Sequence, residues 1–148
     1  MRYLFALFVL FTISSCQDDD DTIDYDKQNE IDILNYISDN NLDAKKSNSG
    51  LYYVILKEGS GAQPNSNSNV TVNYKGYFTD NKIFDQNNNV TFNLQQVIAG
   101  WTEGITYFKE GGEGMLLIPS SLGYGDKDRN SIPGGSVLIF DIDLLNVN

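Results

Sequence analysis

Six short motifs in the last hundred residues carry the side chains of this chain that could do chemistry. They are Val72–Gly76, Ile83–Asp85, Val97–Gly104, Gly123–Gly125, Ile132–Gly135 and Phe140–Leu145. None of them contains a nucleophile, a set of metal ligands or a phosphate-binding loop. Their shared content is aromatic and aliphatic side chains separated by glycines. A pocket lined in this way can hold an apolar, ring-shaped group away from water, and that chemistry suits proline better than most substrates.

The composition argues against several classes of function. The chain contains no histidine, which excludes His-based acid–base catalysis, Ser–His and Cys–His nucleophiles, and most zinc enzymes. Its net charge of −10 argues against nucleic acid, because phosphates need a basic surface. We therefore expect no cofactor, no metal and no nucleic-acid partner.

The length of 148 residues allows one domain of about a hundred residues and an extension. Residues 17–48 carry ten acidic side chains against three lysines, whereas the rest of the chain from residue 49 carries ten against six basic ones. The negative charge therefore lies mainly in the N-terminal extension, which is typical of a solvated tether.

The N-terminus has the features of an export signal. Tyr3–Ile13 is an almost unbroken apolar run of 11 residues, too short to span a bilayer, which needs about 20, but typical of a signal peptide. Small residues then precede Cys16, the only cysteine. This arrangement resembles the lipobox of bacterial lipoproteins and implies a signal peptide over residues 1–15, lipidation of Cys16 and lipid anchoring to a membrane. An ordinary secretory signal is disfavoured, because an unpaired cysteine has little use in an exported protein unless it is modified.

Gln17, rather than an aspartate, follows Cys16, so the usual inner-membrane retention signal is missing. The expected location is therefore the cell envelope, at the outer membrane, with the domain facing the periplasm or the surface. Two interpretations of Asp18–Asp21 stay open. The run resembles a surface-export tag of some Gram-negative lineages, and it also fits a soluble, charged spacer.

The tether, residues 16–48, contains one predicted helix. Ile31, Leu34 and Ile37 recur at three-residue spacing within Asp26–Asn40, which predicts an amphipathic helix of about three turns. We expect its apolar stripe to pack on the following domain rather than on a partner. Lys45–Gly50 is predicted to be a flexible joint.

The remaining chain is predicted to form short strands and one short helix. The expected strands are Leu51–Leu56, Val70–Phe78, Thr91–Leu94, Met115–Ile118 and Val137–Val147. The helix is expected within Val97–Phe108, where two glycines keep it short, and Gln86–Asn89 and Pro119–Gly135 are expected loops. Short strands without a repeated strand–helix–strand pattern indicate an antiparallel α+β domain.

From about Leu51 onward, the order and spacing of all six motifs resemble the FK506-binding-protein (FKBP) type of peptidyl-prolyl cis-trans isomerases. The resemblance implies an FKBP domain over residues 49–148. Its fold would be α+β, a curved antiparallel sheet of about five strands wrapped around one short helix. It also implies catalysed rotation of Xaa–Pro bonds, with proline-containing polypeptides as partners and FK506-type compounds as possible ligands.

The resemblance also assigns site residues. The catalytic set would be Tyr74, Phe84, Asp85, Trp101, Tyr124 and Phe140, and the substrate-binding set Phe92, Val97, Ile98 and Ile132. Trp101 would lie under the prolyl ring, the Tyr124 hydroxyl would bond the carbonyl before proline, and the backbone N–H of Ile98 would bond a ligand carbonyl. Each aromatic taken singly fits an ordinary core residue, but their joint occurrence at matching positions favours the pocket.

Two departures from the family concern the pocket edge: residues 86–89 offer no arginine to Asp85, and Asp126–Asn130 is charged and lacks apolar residues. The function expected first is an isomerase that assists the folding of exported or cell-surface proteins. The alternative is a module that binds proline segments in an envelope or surface complex, for example of gliding type, with little turnover. A surface protein that merely reuses the fold is a third, weaker possibility.

Overall fold

The computed structural model describes residues 23–148, so the predicted signal peptide 1–15 and Cys16 lie outside the described residues. The described part contains the helices α1 (Tyr25–Asp39) and α2 (Ala99–Gly104) and the strands β1 (Lys45–Lys46), β2 (Tyr52–Lys57), β3 (Asn69–Tyr77), β4 (Ile83–Asn93), β5 (Glu113–Ile118) and β6 (Leu138–Val147). Short 3₁₀ helices follow α2 at Ile105–Tyr107 and β5 at Ser120–Leu122. None of the helices in residues 23–148 is long and apolar enough to cross a membrane.

All six strands form one antiparallel sheet in the order β1-β2-β5-β6-β3-β4. The predicted antiparallel α+β fold, with a short helix between the strand that ends at Asn93 and the strand that begins at Glu113, is therefore confirmed. Residues 49–148 supply five strands, as predicted, and the sixth is β1, whose two residues pair with Tyr52 and Tyr53 of β2. The expected joint at Lys45–Gly50 is thus partly wrong, since its first two residues belong to the sheet.

The two faces of the sheet carry separate apolar clusters. In β5, Leu116 and Ile118 belong to the cluster with Trp101 of α2, whereas Met115 and Leu117 belong to the cluster with α1. Successive side chains of a strand point to opposite faces. Helices α1 and α2 therefore cover opposite faces of the same sheet.

Helix α1 forms where it was predicted, but its buried face is not the predicted one. Ile31 and Leu34 are 45% and 46% exposed, whereas Asn29, Ile33 and Tyr36 are buried. These three residues are spaced by four and three positions, so they share one face of a helix. Because this buried face includes the polar Asn29, apolar periodicity alone does not identify it. The expected packing of α1 on the following domain does occur, on the sheet face opposite α2.

Strand β4 corrects the prediction of a polar loop at Gln86–Asn89. Gln86 and Asn87 pair with Lys75 and Tyr74 of β3, and the register shifts between Val72 and Tyr74. Because β4 is the edge strand, its side chains meet solvent and need not be apolar. Strand β4 therefore runs without interruption from Ile83 to Asn93, and its Asn-rich centre lies beside the pocket strand β3.

Candidate active site

All ten residues predicted for the site line one cavity of about 670 Å³ between α2, the sheet and the loop Pro119–Gly135, which we call the flap. They are Tyr74, Phe84, Asp85, Phe92, Val97, Ile98, Trp101, Tyr124, Ile132 and Phe140. The fold brings them from β3, β4, β6, the turn before α2, α2 itself and the flap. Their roles in catalysis remain predictions, but their common location supports them.

The centre of the cavity wall is the indole ring of Trp101, which is 4% exposed. Its ring meets three others edge to face: Tyr74 at a centroid distance of 5.2 Å, Phe92 at 5.5 Å and Phe140 at 5.3 Å. Edge-to-face contacts suit the charge distribution of aromatic rings and hold each ring in one orientation. The wall is therefore apolar and well ordered by its own packing.

Gly76 is the position in β3 that lets two of these rings approach. A Cβ atom there would lie 2.7 Å from the rings of both Phe140 and Phe84, closer than packed atoms tolerate. These two rings in turn meet edge to face at 5.5 Å. The glycine of the Val72–Gly76 motif thus has a packing role, and any side chain at that position would displace the cavity wall.

The indole N–H of Trp101 is buried and has no hydrogen-bond acceptor among the described residues. A buried donor without a partner costs about 1–3 kcal/mol. A phenylalanine would fill the core without that cost, so simple packing does not account for a tryptophan here. Unsatisfied groups of this kind in native structures call for an explanation, and a functional surface is one.

At the cavity edge, the Tyr74 hydroxyl donates a hydrogen bond to Asp85 Oδ2 at 2.7 Å. Burial of the phenol, together with this bond to the carboxylate, raises the pKa of Tyr74 above its ordinary value of 10.0. A phenol is protonated at neutral pH in any case, and this shift extends the protonated state to more alkaline pH. Residues 86–89 offer Asp85 no arginine. Its hydrogen-bond partner is Tyr74 instead.

The flap supplies the exposed side of the cavity. Tyr124 is 37% exposed, and the guanidinium of Arg129 lies 5.6 Å from the centroid of its ring. Arg129 and Ile132 exchange two backbone hydrogen bonds of 2.9 and 3.0 Å, which form a tight hairpin at the flap tip. The rim of the cavity therefore combines a phenol hydroxyl, a cation and one aliphatic side chain.

The sequence analysis missed five lining residues: Gln96, Gly123, Arg129, Asn130 and Ser131. Arg129 matters most, because it places a positive charge at the rim. Its neighbourhood was recognised as charged, but no sequence pattern says which residues of a long loop turn toward the sheet. Proximity to the Gly123–Gly125 motif was the only available signal.

Comparison with known proteins identifies this arrangement. Residues 60–145 match the family model of the FKBP-type peptidyl-prolyl cis-trans isomerases. The chain belongs to this family. It is 44% identical over 107 residues to the FKBP-type peptidyl-prolyl cis-trans isomerase FkpA of Buchnera aphidicola subsp. Schizaphis graminum, a match that covers 69% of this chain and 42% of the relative. Identity to FkpA of Escherichia coli K12 is 42% over 107 residues, covering 70% and 40%. The chain thus spans about two-fifths of these curated relatives.

Solved structures agree on the FKBP fold. The crystal structure of FkpA from Escherichia coli matches with a TM-score of 0.75 and 37% identity, over 82% of this chain and 60% of that one. A peptidyl-prolyl cis-trans isomerase from Pseudomonas syringae pv. tomato matches with a TM-score of 0.76 and 30% identity, over 84% and 93%. The predicted family is confirmed. All ten pocket residues lie within residues 60–145, which the family model matches, and α1 lies outside that range.

The FKBP domain has a second cavity, of about 490 Å³, whose polar lining comes largely from the opposite face of the sheet. Its charged and amide residues include Asn73, Lys75, Glu113, Asp141 and Asp143. They alternate along β3 and β6 with the aromatic residues of the first cavity. We call this second cavity the charged groove.

Proposed function

We propose that this chain is a peptidyl-prolyl cis-trans isomerase that acts on proline-containing polypeptides in the aromatic cavity. One observation carries the proposal: a member of the FKBP family gathers all ten expected pocket residues around a single cavity. No proton donor, metal or covalent intermediate is needed for the chemistry, which consists of rotation about one bond.

The barrier to rotation of an Xaa–Pro bond, roughly 18–20 kcal/mol, arises from amide resonance. The planar amide is polarised and is stabilised by water, whereas the twisted amide has lost resonance and is less polar. A prolyl ring seated on Trp101 and surrounded by Tyr74, Phe92 and Phe140 would exchange water for apolar ring surface. This environment disfavours the planar state relative to the twisted one and so lowers the barrier.

Tyr124 would supply the directional contact. Its ring lies at the rim, partly open to solvent, where a bound peptide would pass. A hydrogen bond from its hydroxyl to the carbonyl before proline, with a second from the Ile98 backbone N–H to another ligand carbonyl, would fix the chain on one side of the rotating bond. Each 1.36 kcal/mol removed from the barrier raises the rate tenfold, so a few such contacts are sufficient.

Asp85 and Tyr74 have a positioning role in this scheme. Their 2.7 Å hydrogen bond fixes the Tyr74 ring against Trp101. The carboxylate would thus hold the hydroxyl at the cavity edge, and the Tyr74 ring would form a fixed wall beside the prolyl ring.

The proposed cellular role is assistance to the folding of exported or cell-surface proteins, with the chain anchored by lipid at Cys16 to the outer membrane. Slow prolyl isomerisation, which takes tens to hundreds of seconds, limits the folding of many proteins. The apolar run Tyr3–Ile13 and the small residues before Cys16 support the anchor. Incorporation of radiolabelled palmitate into the wild type, and its loss in Cys16→Ser, would test it in cells.

The isomerase proposal is tested by following cis-to-trans isomerisation of a short peptide with a bulky apolar residue before proline. The full-length chain in detergent is compared with a detergent blank, and the refolding of a protein limited by prolyl isomerisation is measured in parallel. We expect acceleration in both assays. A folded chain that accelerates neither but binds the peptide would contradict the proposal and favour the proline-binding module.

A further inference from the structure

Asn29 on α1 is a buried polar residue whose carboxamide oxygen and nitrogen both form hydrogen bonds. The side chain is 1% exposed. Its Oδ1 accepts from the backbone N–H of Ser120 at 2.6 Å, and its Nδ2 donates to the backbone carbonyl of Gly135 at 2.8 Å. Ser120 and Gly135 lie at the two ends of the flap. One side chain of the N-terminal extension therefore joins both ends of the loop that borders the cavity.

Two backbone bonds complete a closed ring. The N–H of Gly125 donates to the Ser120 carbonyl at 2.8 Å, and the N–H of Gly135 donates to the Gly125 carbonyl at 2.9 Å. Starting from Asn29, the four hydrogen bonds thus pass through residues 120, 125 and 135 and return to Asn29. The peptide group that joins Tyr124 to Gly125 supplies one member of this ring. The position of the Tyr124 backbone is consequently coupled to the Asn29 carboxamide.

A second contact between α1 and the flap lies at the same place. Gly135 has a left-handed φ of +74°, and a Cβ atom there would collide with the ring of Tyr25. The ring packs directly on the glycine backbone at the flap end. The contact of α1 with the flap therefore consists of both a hydrogen-bonding side chain and an aromatic one.

Beyond the partly buried Leu122 and Ile132 and the Arg129 guanidinium over the Tyr124 ring, the flap gives Tyr124 little other support. Residues 126–131 are exposed, so their side chains add little buried apolar surface, and Tyr124 itself is 37% exposed. A loop with few buried contacts opens at low free energy. Its position over the cavity is therefore set mainly by the hydrogen bonds at its base.

From these contacts we propose that α1 contributes to the isomerase site by positioning the flap. Asn29 is the positioning residue that holds Tyr124 and Ile132 over the cavity. The proposal rests on the proposed function. It gives the extension, which lies outside the match to the family model, a role beyond that of a tether. Tyr25 supports the same flap end and is the secondary contact.

The test compares Asn29→Ala with Leu34→Ala in the full-length chain. Leu34 lies on the same helix, is 46% exposed and serves as the matched control. We expect Asn29→Ala to lower kcat/KM for the proline peptide about tenfold, which corresponds to about 1.4 kcal/mol of transition-state stabilisation. Leu34→Ala should stay within about twofold of the wild type.

A double-mutant cycle separates positioning from general stability. If Asn29 acts through Tyr124, Asn29→Ala should lower kcat/KM by only about twofold or less in a Tyr124→Phe background, because contacting or coupled residues are non-additive. Full additivity of the two substitutions would overturn the proposal. Asn29→Ser, a smaller polar residue that brings no charge into the buried site, replaces Asn29→Ala if the latter does not fold.

Limited trypsin digestion gives a readout that does not depend on activity. Lys127 and Arg129 lie on the flap. Loss of the Asn29 hydrogen bonds should increase cleavage after these two residues severalfold, while the far-UV circular dichroism is unchanged. Equal cleavage in wild type and Asn29→Ala, or an unchanged kcat/KM, would overturn the positioning role. An inactive wild type would instead contradict the proposed function, and cleavage alone would then decide whether Asn29 holds the flap.

Discussion

The aromatic cavity and the charged groove are built from neighbouring residues of the same strands and differ in the chemistry of their linings. In β3, Tyr74 faces the aromatic cavity, whereas Asn73 and Lys75 face the charged groove; in β6, Phe140 and Asp141 divide in the same way. The volumes, about 670 and 490 Å³, are similar. Size therefore does not distinguish the two sites.

The difference lies in how far each surface satisfies its own polar groups. In the charged groove, Lys75 pairs with Asp141 at 3.0 Å, and Asn73 donates to Asp143 at 2.9 Å. In the aromatic cavity, the indole N–H of Trp101 has no acceptor among the described residues, and Tyr124 stands at the open rim. These two polar pairs of the groove are thus made within it, which favours the aromatic cavity as the proposed ligand site.

The largest expected effect is that of Trp101→Ala, which removes the ring at the centre of the aromatic wall. Truncation of a buried aromatic residue to alanine costs about 3–5 kcal/mol, so the free energy of unfolding and the activity should fall together. Phe140→Ala should behave alike, because both rings are buried and in mutual contact. Urea denaturation and the peptide assay measure the two quantities. Retained activity in either variant would show that the wall is not the site.

Tyr124→Phe should lower kcat/KM several-fold with the fold intact, since it removes one hydroxyl from an exposed residue. A hydrogen bond that is made in the transition state contributes about 1 kcal/mol or somewhat more. The thermal unfolding midpoint is the control and should not move. Wild-type turnover in this variant would argue against the hydrogen bond to the carbonyl before proline.

Alkaline pH should lower the free energy of unfolding, because a tyrosine on each face of the sheet has a raised pKa. Burial, with a carboxylate bond in each case, raises the pKa of Tyr74 in the aromatic cavity and of Tyr77 beside the groove above 10.0. The folded state therefore keeps protons that the unfolded chain releases, and the stability present below pH 10 is lost as the pH rises further. Urea midpoints between pH 9 and 11 should fall less steeply in Tyr74→Phe and in Tyr77→Phe. Slopes equal to that of the wild type would contradict these pKa shifts.

The smallest expected effect is that of Lys75→Ala in the charged groove. Its side chain is 46% exposed and its ion pair with Asp141 is partly solvated, so the loss of stability should be less than about 1 kcal/mol. We expect kcat/KM to match the wild type. A marked loss of activity would place the groove in the substrate path and remove the contrast between the two faces.

The pocket was predictable because the six motifs resemble those of the FKBP family, and the resemblance supplied the pocket positions. Regular elements hold these residues: Tyr74 and Phe140 lie on strands, where side chains alternate between the two faces, and Trp101 lies on α2. The flap was less predictable. Arg129 reaches the rim because of the turns at Gly125 and Gly135, both with positive φ, and because of long-range bonds that no local pattern records.

The structure of the N-terminal extension was likewise only partly predictable from the sequence. Its helix was predicted from apolar spacing, but the buried face includes Asn29, a polar residue with hydrogen bonds to residues 91 and 106 positions away. Strand β4 was missed at Gln86–Asn89 because an edge strand needs no apolar side chains. For α1, partners distant in sequence decided which face is buried; for β4, backbone pairing with the adjacent strand β3 decided the structure.

The most direct test of the central claim records two signals from the same samples. Isomerisation of the proline peptide by the full-length chain is measured with rising amounts of an FK506-type ligand, while the emission of Trp101, the only tryptophan, reports occupancy of the aromatic cavity. We predict acceleration that disappears in proportion to the change in emission. Acceleration that persists after the emission change is complete would contradict the account, as would a folded chain that gives no acceleration at all.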